Sequence, residues 1–358
     1  MISVVIMAGG KGERFWPKSR RKTPKQLISV TDDERTLIQC TVDRISSLCE
    51  PENIYIITNK DYAMPINKQL PEIPFKNIIV EPFGKNTATC IGLAAVHIME
   101  KDKEAVMIVL PSDHLIKDSE KFIDTLKSAV EMAKKGKNLI TLGITPSYPE
   151  TGYGYINYGQ KTCSIQNNSV YKVKRFVEKP NKKKVEEYLN SGNYLWNSGM
   201  FIWKVSTILS NIKKYMPELY QGLMKIKQSL GTNKYNEVLY TEYEKFESIS
   251  IDYGIMEHAE SIFTIPGNFG WDDVGTWTSL ERIVKPDTNG NVTKGNVISV
   301  DTKSCIIEGS KKLIATIGVE NLIIVDTEDA ALICSKDKCQ DLKLLLNKIK
   351  QNKKESYL

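Results

Sequence analysis

The stretch "ISVVIMAGGKGERFWPKSRRKTPKQL", residues 2–27, joins a short apolar run to a glycine-rich loop that carries many cations. Seven Lys or Arg residues and one acid, Glu13, fall between Lys11 and Lys25, both included. Glycines let a backbone approach a ligand closely and point its N–H groups at phosphate oxygens. Most charge runs are simply solvated surface, so the rest of the chain must decide between that role and an anion site.

Further apolar runs rich in β-branched residues follow, and helical patterns separate them. The runs do not alternate apolar with polar residues, which predicts strands buried on both faces. Alternation of strands and helices predicts an α/β fold, a Rossmann-like and mostly parallel sheet with helices on both faces. The predicted strands cover residues 2–8, 53–58, 77–81, 105–111 and 138–144, and the predicted helices cover residues 36–48, 87–101 and 119–135.

A turn-rich stretch, "PDTNGN" at residues 286–291, marks a predicted domain boundary. The prediction is a main domain over residues 1–286 and a small β-rich C-terminal module over residues 287–358, which ends in a helix. No acid–base cluster and no glycine-rich anion loop occurs after Asn291. The module is therefore predicted to be structural rather than chemical.

Composition excludes several classes of protein. The net charge is +6, but residues 335–358 hold seven Lys against three acids, so the remainder lacks the basic face that nucleic acid requires. The seven Cys never form a CxxC pair and only three His are present, which argues against a disulfide framework or a zinc site. No apolar run approaches the ~20 residues of a membrane helix. The sequence predicts a cytoplasmic enzyme or binding protein with no nucleic-acid or membrane partner.

Ligands of such sheets bind beyond the carboxyl ends of the strands, and the first loop at that edge reads G-G-x-G-x-R. It matches neither the dinucleotide fingerprint nor the P-loop. Arg14 and Lys25 add positive charge that suits the β- and γ-phosphates of a triphosphate, or departing pyrophosphate. The glycines of this loop are Gly9, Gly10 and Gly12.

The second loop, "EPFGKNTA" at residues 81–88, precedes a predicted helix. Asn86 or Thr87 could cap that helix, which would be a purely structural role. Lys85 stands just before the helix N-terminus, where a cation is unfavourable unless an anion lies between them. That conflict favours ligand binding.

The third loop, "LPSDHLI" at residues 110–116, follows a strand expected near the middle of the sheet. Asp113, which follows Ser112, could make an Asx turn. A carboxylate that faces a phosphate loop could instead hold Mg²⁺, since this ion takes one or two carboxylates plus phosphate oxygens.

Four later motifs complete the set: "PETGYGYI" (149–156), "VEKP" (177–180), "WNSGMF" (196–201) and "GWDDVGTW" (270–277). In this order, the motifs resemble those of the bacterial mannose-1-phosphate guanylyltransferases, also called GDP-mannose pyrophosphorylases, within the sugar nucleotidyltransferases. The resemblance covers essentially the whole chain. It implies that residues 1–286 form a nucleotidyltransferase catalytic domain.

The resemblance implies that GTP and α-D-mannose 1-phosphate give GDP-mannose and pyrophosphate, by Mg²⁺-assisted in-line attack of the sugar phosphate on the α-phosphate of GTP. Arg14, Lys25 and Asp113 would be catalytic. The family pattern G-W-x-D-V-G makes Asp273 the second Mg²⁺ ligand beside Asp113, and a supporting role is open for Asp272. The implied nucleotide-binding residues are Gly9, Gly10, Gly12, Glu81, Lys85, Asn86, Thr87 and Ser112, and the implied sugar-phosphate-binding residues are Gly152, Glu178, Lys179 and Asn197.

Several alternatives compete with this function. A Rossmann oxidoreductase would need a third glycine at a spacing that the loop lacks. A non-catalytic, regulatory relative that binds sugar nucleotides would be free to lose its phosphate and metal ligands, all of which are present here. The same chemistry on another hexose 1-phosphate or nucleotide stays open, because likeness of fold does not fix a substrate. A homodimer is open as well. We expect GTP to be preferred over ATP, with Glu81 a candidate acceptor for the guanine N1–H and N2–H donors.

Overall fold

A computed structural model describes residues 1–10, 12–31 and 34–358 of the chain. Lys11, one of the loop cations, lies outside the described residues. The strands are β1 (Ile2–Met7), β2 (Ile54–Asn59), β3 (Ile78–Glu81), β4 (Val106–Pro111), β5 (Leu115–Ile116), β6 (Leu139–Ile144), β7 (Tyr155–Ile165), β8 (Asn168–Val177), β9 (Tyr194–Lys204), β10 (Ile262–Gly267), β11 (Trp271–Asp272), β12 (Val292–Lys294), β13 (Val297–Val300), β14 (Ile306–Glu308), β15 (Ile314–Ile317), β16 (Leu322–Asp326) and β17 (Ala331–Ser335).

The helices vary from a single turn to four turns. They are α1 (Leu37–Ile45), α2 (Lys60–Gln69), α3 (Asn86–Met99), α4 (Ser119–Lys134), α5 (Lys182–Ser191), α6 (Val205–Tyr215), α7 (Pro217–Ser229), α8 (Tyr235–Lys245), α9 (Leu280–Ile283) and α10 (Leu342–Gln351).

Within the described residues, the central sheet has nine strands in the order β3-β2-β1-β4-β9-β6-β10-β8-β7. The strands β3, β2, β1 and β4 are mutually parallel, and so are β6 and β10. Val4 and Val5 point to opposite faces of β1 and both are fully buried, so both faces of the sheet are covered. The predicted α/β fold is confirmed, with its small C-terminal β module that ends in a helix.

The parts of this fold that were not predicted include the β7–β8 hairpin and helix α2. The hairpin of β7 and β8 is antiparallel and mostly half-exposed, so it lacks the continuous apolar run that indicated the other strands. Helix α2 contains Pro65, which normally argues against a helix interior. Its start is fixed by Asn59, whose side-chain oxygen accepts hydrogen bonds from the backbone N–H groups of Asp61 (3.0 Å) and Tyr62 (3.2 Å).

The chain forms two compact units. The first unit consists of Met1–Gly9, Asp43–Ser112 and Ile116–Trp271, and the second consists of Gly10–Val42, Asp113–Leu115 and Asp272–Leu358. In the second unit, the basic loop and the C-terminal module share an apolar cluster that contains Phe15 and Trp277, whose ring centroids lie 5.0 Å apart. The basic loop and the C-terminal module thus belong to one compact unit, whereas the predicted boundary after residue 286 separates them. That domain boundary stays a prediction.

The C-terminal module holds two small sheets, β12-β14-β16-β17 and β13-β15. The pairs β12–β14 and β14–β16 are parallel, and β17 joins β16 in antiparallel register. Helix α10 buries Leu342 and Leu346, four residues apart and hence on one face. A search of the described residues finds no helix with the length and apolarity that crossing a membrane requires.

Candidate active site

Lys25 lies at the centre of a polar cluster in the second unit. Its side chain is nearly buried, and its Nζ donates to Asp113 Oδ2 (2.9 Å) and to the backbone carbonyl of Asp273 (2.6 Å). The backbone of Gly12 has φ +60°, and a Cβ there would lie 2.4 Å from the backbone nitrogen of Lys25. Only glycine therefore lets the loop close over Lys25.

Asp113 and His114, which belong to the cluster around Lys25, both have shifted pKa values. Burial by itself would raise the pKa of Asp113, but the neighbouring Lys25 and His114 outweigh it, and the pKa of this carboxyl is lowered. Asp113 is therefore ionised at neutral pH. Burial lowers the pKa of the His114 imidazole, against the opposing effect of Asp113, so that ring is neutral at pH 7.

A cavity of about 470 Å³ opens beside this cluster, which is within the usual range for a small-molecule site. Its walls bring together the predicted catalytic and metal-binding residues, Arg14, Lys25, Asp113 and Asp273, with Gly12. Gly10 belongs to the same unit, where its carbonyl accepts a hydrogen bond from a Gln side chain of the loop.

The two aspartates at this cavity could hold a divalent metal ion. The described part of the chain contains no group of three or more His, Cys, Asp or Glu residues suited to a metal. Mg²⁺ needs no such cage, because it is commonly held by one or two carboxylates and completes its shell with phosphate oxygens and water. The donor set of Asp113 and Asp273 fits that ion.

Asp272 and Asp273 have different surroundings, which the sequence left open. The Asp272 carboxylate is buried and accepts from Arg282 twice, at 2.6 Å from Nε and 3.1 Å from Nη2. It also accepts from the backbone N–H of Val274 at 2.8 Å. Asp273 instead lines the cavity, and its Oδ1 accepts from the N–H of Gly275 at 3.1 Å. Asp272 thus ties the loop to α9, and Asp273 faces the ligand space.

Much of the positive charge of the basic loop is directed at the C-terminal module rather than at the cavity. Arg14 lines the cavity, but three other cations of the loop pair with acids of the module. These pairs are Lys18–Glu308, Arg20–Asp329 (2.7 Å) and Arg21–Glu355 (3.7 Å). The basic run therefore anchors its own loop as well as supplying charge to the cavity, and the sequence predicted only the second role.

Glu81 and Gly9, two predicted nucleotide-binding residues, are neighbours in the first unit. A Cβ on Gly9 would lie 3.6 Å from Glu81 Oε2, and the Tyr243 hydroxyl donates to Glu81 Oε1 at 3.2 Å. Burial raises the pKa of Glu81 to about 7, although the hydrogen bond from Tyr243 acts in the opposite direction. Ser112 is buried at the end of β4, where its backbone N–H donates to the carbonyl of Met7 at 3.2 Å.

The start of α3 differs from the prediction. Neither Asn86 nor Thr87 caps the helix, so that interpretation is wrong: the Asn86 side chain accepts from the N–H of Thr87 (2.8 Å), and Thr87 Oγ1 accepts from the N–H of Ile251 (2.8 Å). Lys85 takes the cap position, and its Nζ donates to the carbonyl of Phe246 at 2.6 Å. The Lys85 cation, for which the sequence analysis expected a ligand anion, thus has a backbone carbonyl as its partner.

Three of the four predicted sugar-phosphate residues lie together in the first unit. A Cβ on Gly154 would come within 2.4 Å of Glu178 Oε2 and 3.4 Å of Asn197 Cβ, so the missing side chain of this glycine brings Glu178 and Asn197 close. Lys179 Nζ lies 3.7 Å from Glu178 Oε1. Gly152 takes no part in these contacts, and its N–H donates to a neighbouring Glu at 2.7 Å.

Asp252 belongs to the same group and was missed in the sequence. Its Oδ1 accepts from Asn197 Nδ2 at 2.7 Å, while Asn197 Oδ1 accepts from the N–H of Gly199 at 3.1 Å. These two bonds fix which way the Asn197 amide faces. Burial raises the pKa of Asp252, with the hydrogen bond from Asn197 opposing it. Asp252 begins a single π-helical turn, Asp252–Met256, and no local pattern marks such a turn in a sequence.

Comparisons with known proteins give the family of the chain. A nucleotidyl transferase family model matches residues 3–290, and a model of the MannoseP isomerase/GMP-like beta-helix domain matches residues 295–349. The chain is 38% identical over 365 residues to a mannose-1-phosphate guanylyltransferase of Salmonella montevideo, covering 100% of this chain and 76% of that protein. It is 39% identical over 358 residues to mannose-1-phosphate guanylyltransferase RfbM of Salmonella typhimurium, covering 99% and 73%.

Among solved structures, the fold is similar to a crystal structure from Thermus thermophilus that is described as a mannose-1-phosphate geranyltransferase. The two chains superpose with a TM-score of 0.88 and are 30% identical. The match covers 98% of this chain and 99% of the other, so it includes the C-terminal module.

Proposed function

We propose, because the chain belongs to the mannose-1-phosphate guanylyltransferase family of nucleotidyl transferases, that it transfers a guanylyl group from GTP to α-D-mannose 1-phosphate. The products are GDP-mannose and pyrophosphate. The observation that best supports this function is Lys25 held between Asp113 and Asp273 at a cavity that Arg14 also lines. Such a site combines metal ligands with cations for phosphate oxygens.

The reaction needs no general base. The nucleophile is a phosphate oxygen of the sugar phosphate, which is already an anion at neutral pH because the second pKa of a phosphate monoester is about 6. The protein must align two anions for in-line attack at the α-phosphorus and offset the charge that gathers there. A neutral His114 beside Asp113 is compatible with this chemistry, since no proton has to move at the reacting atoms.

Arg14 and Lys25 would bind the β- and γ-phosphates and then the departing pyrophosphate. Asp113 and Asp273 would hold Mg²⁺; a divalent metal, which nucleotidyltransferases of this family generally use, offsets charge on the phosphate oxygens. Without a ligand, Lys25 and Asp113 neutralise each other in their ion pair. Metal and phosphate would give each of them a new partner of opposite charge.

The remaining roles divide between nucleotide and sugar phosphate. Glu178 and Asn197 would form hydrogen bonds with sugar hydroxyls, and Lys179 and Gly152 would contact the sugar phosphate. The orientation that Asp252 gives to the Asn197 amide supports this role. The proposed nucleotide-binding residues are Gly9, Gly10, Gly12, Glu81, Lys85, Asn86, Thr87 and Ser112.

Base preference is expected to depend on pH through Glu81. Its raised pKa of about 7 means that the carboxylate, the form able to accept both guanine N–H donors, becomes populated as pH rises through that value. The ratio of kcat/KM for GTP to that for ATP should therefore rise between pH 6 and pH 8 in the wild type. In Glu81→Gln the ratio should fall by about tenfold at pH 8 and lose its pH dependence. An unchanged ratio and pH profile in Glu81→Gln would restrict Glu81 to its contact with Tyr243.

The function as a whole is tested by pyrophosphate release, measured with four nucleoside triphosphates against several hexose 1-phosphates in the presence of Mg²⁺. We expect the highest kcat/KM for GTP with mannose 1-phosphate. A clear preference for another pair would keep the chemistry and replace the substrate. Absence of pyrophosphate release with every pair, from protein that still binds GDP-mannose, would instead indicate a non-catalytic sugar-nucleotide-binding protein.

A further inference from the structure

The C-terminal helix α10 and the turn before it reach the cavity that contains Lys25. Lys343 and Gln340 line this cavity together with Arg14, Asp113 and Asp273. The sequence predicted a structural module that contributes no residue to the active site. A cation from α10 in the same cavity as the proposed phosphate ligands was therefore unexpected.

The position of Lys343 follows from the apolar face of its helix. Leu342 and Leu346 are buried, and they belong to the same apolar cluster as Phe15, which is fully buried. Phe15 ends the turn Glu13–Phe15 that carries Arg14. Packing of these three apolar side chains holds α10 beside the turn, and Lys343, next to Leu342, then lies on the cavity side.

The ammonium group of Lys343 contributes no ion pair to the described part of the fold. The described residues give Lys343 no carboxylate within ion-pair distance, although Lys18 and Arg20 of the same unit both have one. The side chain of Lys343 is exposed, as is that of Glu13, the remaining acid on the cavity wall. A flexible ammonium group with three donors, at the mouth of a site that already holds Arg14 and Lys25, suits a mobile polyphosphate.

We propose that Lys343 is a further substrate-binding residue, which contacts the β- and γ-phosphates of the bound triphosphate and the pyrophosphate product. This inference rests on the proposed function. It gives the C-terminal module a direct role in binding, in addition to its packing against the loop. Because the contact is made by both substrate and product, it affects affinity more than the chemical step.

The test compares Lys343→Gln with Lys348→Gln, a matched loss of one charge from an exposed position on the same helix that does not line the cavity. In Lys343→Gln we expect the KM for GTP, and for pyrophosphate in the reverse direction, to rise about fivefold, the scale of one partly exposed charge-assisted contact. The turnover number and the KM for mannose 1-phosphate should stay within about twofold of wild type. Lys343→Arg should restore most of the affinity, and thermal unfolding should be unchanged in all three variants.

Equal KM values for GTP in the Lys343→Gln and Lys348→Gln proteins would overturn the inference, as would an equal rise in the KM for mannose 1-phosphate. Calorimetric titration of Mg²⁺-pyrophosphate into each protein separates this inference from the proposed function, because it needs no turnover. Weaker pyrophosphate binding in Lys343→Gln alone would support the inference even if no nucleotide sugar were formed. Wild-type protein that binds no pyrophosphate, or binds it as the Lys343→Gln protein does, would overturn it.

Discussion

Replacing Asp273 with Asn is expected to lower turnover by at least ~10²-fold, the scale for loss of one charge-stabilising group. Asp273 lines the cavity, and its backbone carbonyl already accepts from Lys25. Asn keeps the side-chain oxygen that can accept from the N–H of Gly275 but removes the charge that Mg²⁺ requires. The Mg²⁺ concentration for half-maximal activity should therefore rise, whereas thermal unfolding of the unliganded protein should hardly change. Kinetics over a Mg²⁺ titration, with a melting curve, measure both effects.

Asp272→Asn is the matched control, one residue away. It replaces the buried carboxylate that Arg282 contacts twice, so the free energy of unfolding should fall by about 1–3 kcal/mol. The Mg²⁺ concentration for half-maximal activity should stay at the wild-type value, because Asp272 is tied to α9 rather than to the cavity. Near-normal turnover of Asp273→Asn at low Mg²⁺ would remove Asp273 from the metal site. A higher Mg²⁺ requirement in Asp272→Asn would instead assign Asp272 to the metal site.

Replacing Lys25 with Met should lower turnover by about 10³-fold, the largest effect that we expect from a single cation. Its Nζ contacts both the side chain of Asp113 and the backbone of Asp273, so its loss would remove a proposed phosphate ligand and also free the two loops that carry the proposed metal ligands. The Asp113 side chain is 34% exposed, so water can partly replace the lost partner. The free energy of unfolding should accordingly fall by only about 2 kcal/mol. Steady-state kinetics and denaturant titration measure the two effects.

Lys22→Met serves as its control, since it removes an equal charge from an exposed position of the same loop. We expect Lys22→Met to retain turnover within about twofold of wild type. If Lys22→Met and Lys25→Met lost activity equally, the general charge of the loop would matter rather than the position of Lys25. If Lys25→Met retained turnover, Lys25 would be a structural partner of Asp113 only.

The parallel part of the fold could be predicted because its strands are buried on both faces and therefore appear as continuous apolar runs. The antiparallel β7–β8 hairpin could not, since its half-exposed strands mix polar and apolar residues and contain no continuous apolar run. Helix α2 was hidden by Pro65, which lies inside the helix, and its start is fixed by the Asn59 cap. The start of α3 was misassigned because Thr87 bonds to Ile251, a contact that no local pattern reveals.

The candidate site could be predicted where a loop motif carries both position and chemistry, as with Lys25 and Asp113. Residues that reach the site through tertiary packing could not be found in this way. Asp252 contacts Asn197 from a distant part of the chain, and Lys343 comes to the cavity on a helix whose Leu pattern indicates only packing. In the basic loop, the sequence analysis instead assigned too much to the site. The charge of the loop indicated bound phosphate, although Arg20 and two neighbouring cations pair with acids of the C-terminal module.

The most direct test of guanylyl transfer is ³¹P nuclear magnetic resonance of one reaction that contains the protein, Mg²⁺, GTP and mannose 1-phosphate. We predict that the signals of GTP and of the sugar phosphate fall together, while those of GDP-mannose and pyrophosphate grow in equal amounts and no orthophosphate forms. The same sample prepared with Asp273→Asn protein should change at least ~10²-fold more slowly. GTP consumed to GDP and orthophosphate, with mannose 1-phosphate untouched, would contradict the account, and so would a wild-type sample in which both substrates persist.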